Sequence, residues 1–463
     1  MSLRIDLKLT ARALAPAAKR LFELSATKID RLEGRWDASR GTPVFTVKGR
    51  YTSRGWTEWT QGFQYGAALL QYEATGDRWF LELGRSRTVE RMAPHLTHMG
   101  VHDHGFNNVS TYGNLLRLMR GGLIEANPRE ADFYELALKV SGAVQAARWT
   151  GLGHGAGYIY SFNGPHSLFV DTLRSLRSLA VAWKLGHVLM GEKDRRIDLL
   201  GRLIAHARTT AQYVIFNGEG RDAYDTRGRT VHEAVFNTND GSFRCPSSQQ
   251  GFSPFTTWTR GLAWAICGYA EELEFLETLE PAVFEPYGGK KKVLGDFLKP
   301  ALATADFYLA NMPTCGVPYW DTGAPNLHRL TKPLDKPADP YNAWEPVDSS
   351  AAAIAAQGLL RLGSYLGSKA EARKYTQAGL TIARTLFAEP YLSTNARHEG
   401  LLLHSVYHRP NGWDHVAEGQ KVPNGESSMW GDYHARELGV MILRAAEGKP
   451  YQRFFDGVGP ATA

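Results

Sequence analysis

The chain has 463 residues, longer than the usual single domain, and carries 53 Lys plus Arg against 47 Asp plus Glu for a net charge of +6. So small an excess, not gathered into basic runs, argues against nucleic acid as a partner and leaves an anionic small substrate compatible. Cys245, Cys267 and Cys315 are scattered without C-x-x-C spacing, indicating neither a disulfide framework nor a zinc site, and no stretch reaches membrane-spanning length.

The chain opens Met1-Ser2-Leu3-Arg4-Ile5-Asp6, a charged amphipathic start without the apolar run and small-residue cleavage site of a secretory signal. Cytoplasmic residence is therefore the default expectation. Helical periodicity dominates the chain and predicts helices at 6–29, 57–74, 77–95, 105–122, 130–149, 168–187, 193–215, 256–278, 291–311, 348–366, 370–388 and 430–446. Similar polar turns join several of them: Glu73-Ala74-Thr75-Gly76-Asp77, Gly191-Glu192-Lys193-Asp194 and Leu366-Gly367-Ser368-Lys369. One unit recurs rather than changing character, so a single all-α domain over 1–463 is expected. Six antiparallel hairpins can close into an inner and an outer ring, a toroid whose loops at one end surround a cleft. An open solenoid is the alternative, but its repeat period would be more regular.

Long connections inside a compact domain are where a site or lid is expected. Residues 150–167 are rich in Gly, His, Tyr and Phe; 216–255 contain a strand-like run at 230–236; 312–347 hold Tyr319-Trp320-Asp321; and 389–429 contain a predicted strand at 401–408. The 12 Trp, 20 Tyr and 20 Phe fit either a core or a cleft that binds ring-shaped ligands.

The run Val101-His102-Asp103-His104-Gly105-Phe106-Asn107-Asn108 stands at the mouth of a predicted helix and is read together with Asp171 in Leu168-Phe169-Val170-Asp171. An apolar setting and a neighbouring like charge favour the protonated form of a carboxyl, which would keep Asp171 ready to donate a proton. Taken alone, Asp103 reads first as a residue that caps backbone N–H groups. Trp56-Thr57-Glu58-Trp59-Thr60-Gln61-Gly62-Phe63 places aromatics on both sides of a Gly, to stack on a ring or on a neighbouring helix. In Trp258-Thr259-Arg260-Gly261-Leu262-Ala263-Trp264, an Arg between two Trp at a helix start is awkward to bury without an anionic partner. That partner is either a ligand carboxylate or an Asp or Glu of the fold. His232, alone, reads as a solvated loop histidine.

Together these segments resemble glycoside hydrolase family 88, the unsaturated glucuronyl hydrolases. The pieces fall in order over most of the chain: Trp59 with Gly62-Phe63, His102-Asp103 with Gly105-Phe106, Ser161-Phe162 before Val170-Asp171, Gln250-Gly251-Phe252, the Trp258 to Trp264 run, Asp348-Ser349-Ser350, Leu403-His404-x-Val406-Tyr407-His408 and Trp430-Gly431-Asp432-Tyr433. The resemblance implies an (α/α)6 barrel and, as substrate, a 4,5-unsaturated uronic acid at the non-reducing end of a lyase-generated oligosaccharide. It implies protonation at C4 and water addition at C5 of a vinyl ether, unlike ordinary glycoside hydrolysis, with no metal or cofactor. Asp171 would be the general acid and base and Asp103 the second carboxylate. His232, Gln250 and Arg260 would gather the substrate carboxylate and water, and Trp59, His102 and Trp264 would pack the sugar ring. Gln64, Leu262 and Phe162 depart from the family's usual residues, and the His232 assignment crosses a long loop. Rhamnogalacturonyl hydrolases of a sister family share a similar barrel, and a catalytically silent sugar-binding protein would share the aromatic cleft.

Overall fold

The structure, a computed structural model, describes residues 2–55 and 58–459, so Trp56 and Thr57 of the predicted second helix lie outside the described residues. Twelve helices alternate between two concentric rings: α1 Ala11–Arg35, α2 Gln61–Thr75, α3 Arg78–Arg91, α4 Asn114–Arg120, α5 Pro128–Ala147, α6 Arg177–Lys184, α7 Leu199–Tyr213, α8 Thr259–Glu277, α9 Lys290–Asn311, α10 Ser349–Leu366, α11 Ala372–Leu386 and α12 Met429–Ala446. Even-numbered helices form the inner ring and odd-numbered ones the outer. The ring closes because α12 packs on α2 and α1 packs on α12.

Sequence explains the division. Inner helices meet neighbours on every side and are apolar or small nearly all round, as in α8, whose residues from Thr259 to Leu276 are all buried. Outer helices bury one stripe, so α1 hides Leu14, Ala18, Leu21, Phe22, Ile29 and Leu32 while its other face is charged. Helix starts follow side-chain caps: Asp77 accepts from Trp79 N at 3.0 Å before α3, and Asp198 from Gly201 N at 2.6 Å before α7. A left-handed Gly76 ends α2.

Five predicted elements are corrected, one of them the helix expected over 193–215, which begins at Leu199 where Asp198 caps it. The first helix begins at Ala11 rather than at residue 6, because Thr10 caps Ala13 N at 3.2 Å. The helix expected over 105–122 is broken into His104–Asn107, a π-helical turn Val109–Gly113, and α4. The one expected over 168–187 starts as a strand, β1 Ser167–Phe169, which pairs antiparallel with β2 Glu233–Phe236, itself paired with β3 Phe243–Ser247. The 401–408 strand is reduced to isolated bridges, Leu392 with Leu402 and Leu403 with Ser427. Its N–H groups go to carboxylates instead of a ladder: Asp432 accepts from Leu401 and Leu402, and Asp414 from Tyr407 and His408.

The broken helix at 104–107 is clamped from both sides. A Cβ on Gly62 would meet Asn107 Cα at 2.3 Å, and one on Gly105 would meet the Ser175 carbonyl oxygen at 2.4 Å. Gly105 N–H also donates to Ser175 Oγ at 2.9 Å. Gly105→Ala is therefore expected to destabilise the fold by about 1–3 kcal/mol, as overpacking does, because both clashing partners are backbone. Denaturant unfolding checks this, and wild-type stability would mean that the two turns can part freely.

Candidate active site

Two carboxylates occupy helix N-terminal positions without capping them. Asp103 precedes His104–Asn107 and Asp171 precedes the short helix Thr172–Ser175, and neither side chain accepts from the first turn. Asp348 in the same position before α10 does so, taking Ser350 N at 3.1 Å. Asp103 and Asp171 instead line a cavity of about 420 Å³ at the loop end of the inner ring, together with Trp59, His102, Phe106, Phe162, Gln250, Arg260 and Trp264. The strand β1 delivers Asp171 to this position, and β2 brings His232 alongside, since Val170 N donates to the His232 carbonyl at 3.0 Å.

His102 links the pair. Its Nε2 lies 3.1 Å from Asp171 Oδ1 and 3.8 Å from Asp103 Oδ1, and its buried Nδ1 has no hydrogen-bond partner among the described residues. Burial pushes Asp103 up to about 6; the charge of Asp171 adds to the rise, while His102 and Arg148 oppose it. Burial also raises Asp171, but His102, His232 and Arg260 outweigh it and hold that carboxyl below its ordinary value. The expectation of a raised Asp171 is thus corrected: beside His102 and Arg260 it is the ionised member, and the raised carboxyl is Asp103. Burial pulls His102 down, yet the two carboxylates overcome it and raise the imidazole. Protons on these three groups are a shared property of the cluster.

His232 is buried rather than solvated, at 1% exposure, with its ring against Phe169 and Trp258. Burial lowers it to about 4, so it is neutral near pH 7. Nδ1 accepts from Gln249 N at 3.0 Å, which puts the ring proton on Nε2, a buried atom without a partner among the described residues.

Arg260 already has its anion. Nη1 donates to Asp348 Oδ2 at 2.9 Å and to the Val406 carbonyl; Nη2 donates to Gln250 Oε1 at 2.9 Å and to the Tyr407 carbonyl at 2.7 Å. Trp258 and Trp430 sandwich the guanidinium at 4.7 and 4.9 Å. All four Nη hydrogens are engaged by the protein, so the open fork for a ligand carboxylate suggested by the sequence is absent here, and the Asp alternative is what the fold contains. Gln250 turns its oxygen to Arg260 and lines the cavity. Trp59 stacks on Trp430 at 5.0 Å, and Trp264, 2% exposed, packs on Phe106 and His434.

Much of the cavity's far wall had no role in the sequence reading: Trp258, Tyr407 and His408 stood in its motifs without a site assignment, and Gln249, Asn411 and Trp413 were missed. Most of these ride on the 407–414 loop, which Asp414 cinches by accepting the Tyr407 and His408 N–H groups, the latter at 3.1 Å. An available signal was Trp413-Asp414 directly after the Pro410-Asn411-Gly412 turn.

Two stability measurements test this electrostatic picture. Folding shifts Asp103 from 3.8 to about 6, so its ionised form costs nothing below pH 3.8 and the full amount above pH 6. That cost is on the order of 2–3 kcal/mol. Asp103→Asn should therefore gain thermal stability relative to the parent as pH rises through that window, and an offset constant with pH would contradict the assignment. Arg260→Ala leaves Asp348 buried and unpaired, so it should lose roughly 3–5 kcal/mol in denaturant unfolding as well as activity. Unchanged stability would show the ion pair to be dispensable to the fold.

No protein-family model matches the chain. The unsaturated glucuronyl hydrolase of Bacillus sp. (strain GL1) is 26% identical over 415 residues, covering 87% of this chain and 91% of that protein. The unsaturated glucuronyl hydrolase of Formosa agariphila is 25% identical over 387 residues, 82% of this chain and 78% of that one. The crystal structure of the Bacillus sp. GL1 enzyme superposes with a TM-score of 0.70 at 23% identity, covering 93% of this chain and 97% of that one. With its motifs in order and relatives aligned along most of its length, the chain is similar to unsaturated glucuronyl hydrolases and shares the helical-barrel fold of the Bacillus sp. GL1 enzyme.

Proposed function

We propose that the chain removes a 4,5-unsaturated uronic acid from the non-reducing end of lyase-generated oligosaccharides by hydrating its vinyl ether. The observation that carries this reading is the pair of buried, non-capping carboxylates joined through His102 in an aromatic-walled cavity. Asp171 gives a proton to C4; the ring oxygen stabilises the cation at C5, and water adds there as Asp171 takes back a proton. The resulting hemiketal opens to a ketone at C5 and a hydroxyl on C1. C1 then carries a hemiacetal that breaks to an aldehyde and frees the leaving sugar.

Asp103 accepts from sugar hydroxyls and tunes Asp171 by its charge. Trp59 and Trp264 wall the ring. With Arg260 committed to Asp348, the Gln250 amide on the cavity wall is left to donate to the substrate carboxylate and water, backed by the positive field of Arg260, while His232, whose Nε2–H is buried behind the lining, would act from behind that wall. One catalytic domain over 1–463 working in the cytoplasm completes the proposal, in keeping with three cysteines that form no disulfide.

The acid role of Asp171 fits its lowered pKa only if the substrate changes its surroundings. A carboxylate seated near Asp171 offsets the cations that keep it ionised in the free protein. Because Asp171 must start protonated, activity falls as pH rises past its pKa. The falling limb of kcat, which reports the complex, should lie at higher pH than that of kcat/KM, which reports the free enzyme. Coincident limbs would deny any effect of substrate on Asp171. Asp171→Asn should keep substrate binding and lose at least about 10²-fold in turnover. A panel of unsaturated disaccharides, followed by loss of the double bond's ultraviolet absorbance, tests the function itself, and a flat trace across the panel would overturn it.

A further inference from the structure

Tyr319-Trp320-Asp321, in the 312–347 connection, runs alongside the start of α8. Trp258 and Asp321 form an antiparallel bridge; Thr259 N donates to the Trp320 carbonyl at 3.1 Å and Thr322 N to the Thr257 carbonyl at 2.9 Å. The Asp321 side chain is fully buried, behind the catalytic cavity rather than in its wall. Oδ1 accepts from Gly323 N at 2.8 Å within its own turn, which sets the carboxyl plane, and Oδ2 reaches across to Phe252 N at 2.9 Å.

Phe252 ends the turn that presents Gln250, and little else holds that turn. From Ser248 to Thr256 only Gly251 is buried, and Phe252 is 48% exposed, so no buried side chain anchors the segment. The ties that flank Gln250 are polar: His232 Nδ1 on the Gln249 N–H at 3.0 Å, Asp321 on the Phe252 N–H, and Arg260 on Gln250 Oε1. A Cβ on Gly251 would come within 2.9 Å of Trp258 Cβ and 3.0 Å of Asp321 Oδ2, so the turn lies flat against both. Released from Asp321, it would pivot at Gly251, which has no side chain to restrict it.

Asp321 is held there at a cost. Burial pushes its carboxyl up to about 6 and Glu345 adds to the rise; the N–H groups of Gly323 and Phe252 and the Thr256 hydroxyl oppose it, where Asp348 has Arg260. An Asn would remove the charge but offer one acceptor oxygen, turning its NH2 on one of the two N–H groups. The second acceptor is what the carboxylate adds.

We infer that Asp321 is a positioning residue of the reaction: it clasps the 248–252 turn to the start of α8, so that Gln250 keeps its oxygen on Arg260 and its NH2 toward the cavity. The inference rests on the donor role proposed for Gln250.

A double-mutant cycle separates positioning from general support, since residues that act as one unit do not add. Asp321→Asn should lower kcat/KM on an unsaturated disaccharide by at least about tenfold, as misplacing a contact group does, and should have no further effect in a Gln250→Ala background. Gly251→Ala pushes the same turn from the other side and leaves the carboxylate intact. It should show the same pattern, and it carries the test if Asp321→Asn does not fold. No loss, or equal fold losses in both backgrounds, overturns the positioning role. Parental kcat/KM in Gln250→Ala overturns the donor and the clasp together. Hydrogen exchange of the full-length protein without substrate gives a readout free of turnover: either turn variant should speed exchange across 248–256 and leave α10 and α12 at the parent rate. Unchanged exchange at 248–256, or faster exchange throughout the chain, refutes the clasp. If the parent protein turns over no unsaturated disaccharide, the reaction fails and exchange alone decides the clasp.

Discussion

The closeness of two backbone turns sets the site. Gly105 and Ser175 approach until no side chain fits between them, with the Gly105 N–H on Ser175 Oγ and Arg177 donating to the Gly105 carbonyl at 3.0 Å. Gln145 bonds both the His102 carbonyl at 2.8 Å and Ser175 Oγ at 3.0 Å, tying the two turns to an outer helix. Asp103 and Asp171 lie immediately before these turns. Their separation, and the position of His102 between them, is thus a consequence of main-chain contact rather than of flexible side chains, the kind of support that a proton-transfer geometry requires.

The charges around the pair are allotted unequally, and that inequality moves the two carboxyls in opposite directions. Asp171 faces His102, His232 and Arg260; Asp103 has burial and the Asp171 charge against it, with His102 and Arg148 in partial compensation. Arg260 acts on this field from a fixed place. Its bonds to Asp348 and to the carbonyls of Val406 and Tyr407 join α8, α10 and the 407–414 loop, so one residue both supports the far wall and supplies positive potential. A lysine there would keep a charge and lose the multi-armed geometry.

Much of this was legible in the sequence, and the reasons differ by element. The alternation of inner and outer helices follows from burial on all sides versus one, so α8 to α12 fall within a few residues of their predicted spans. The breaks at 104–107 and 167–171 were not legible, because neither stretch contains a proline and Leu168–Val170 is apolar enough to continue a helix, and only a tertiary neighbour interrupts them. The motif residues Asp103, Asp171, His102, Gln250 and Arg260 converge on one cavity. Which carboxyl is raised could not be read from spacing, since it depends on how His102 sits between the two and on Arg260, brought in from a distant helix. Asn411 and Trp413 escaped because they belong to a loop shaped by Asp414, a residue with no motif of its own.

What sets the proposed reaction apart is that the reacting bond is the sugar's own C4–C5 double bond, acted on by Asp171, rather than the glycosidic linkage itself. Initial rates on a matched pair of disaccharides, identical except that one uronic acid is saturated, separate the two chemistries. Ultraviolet absorbance should disappear in step with release of the leaving sugar from the unsaturated compound, and the saturated one should be inert. Cleavage of the saturated compound at a comparable rate would contradict the role given to the double bond.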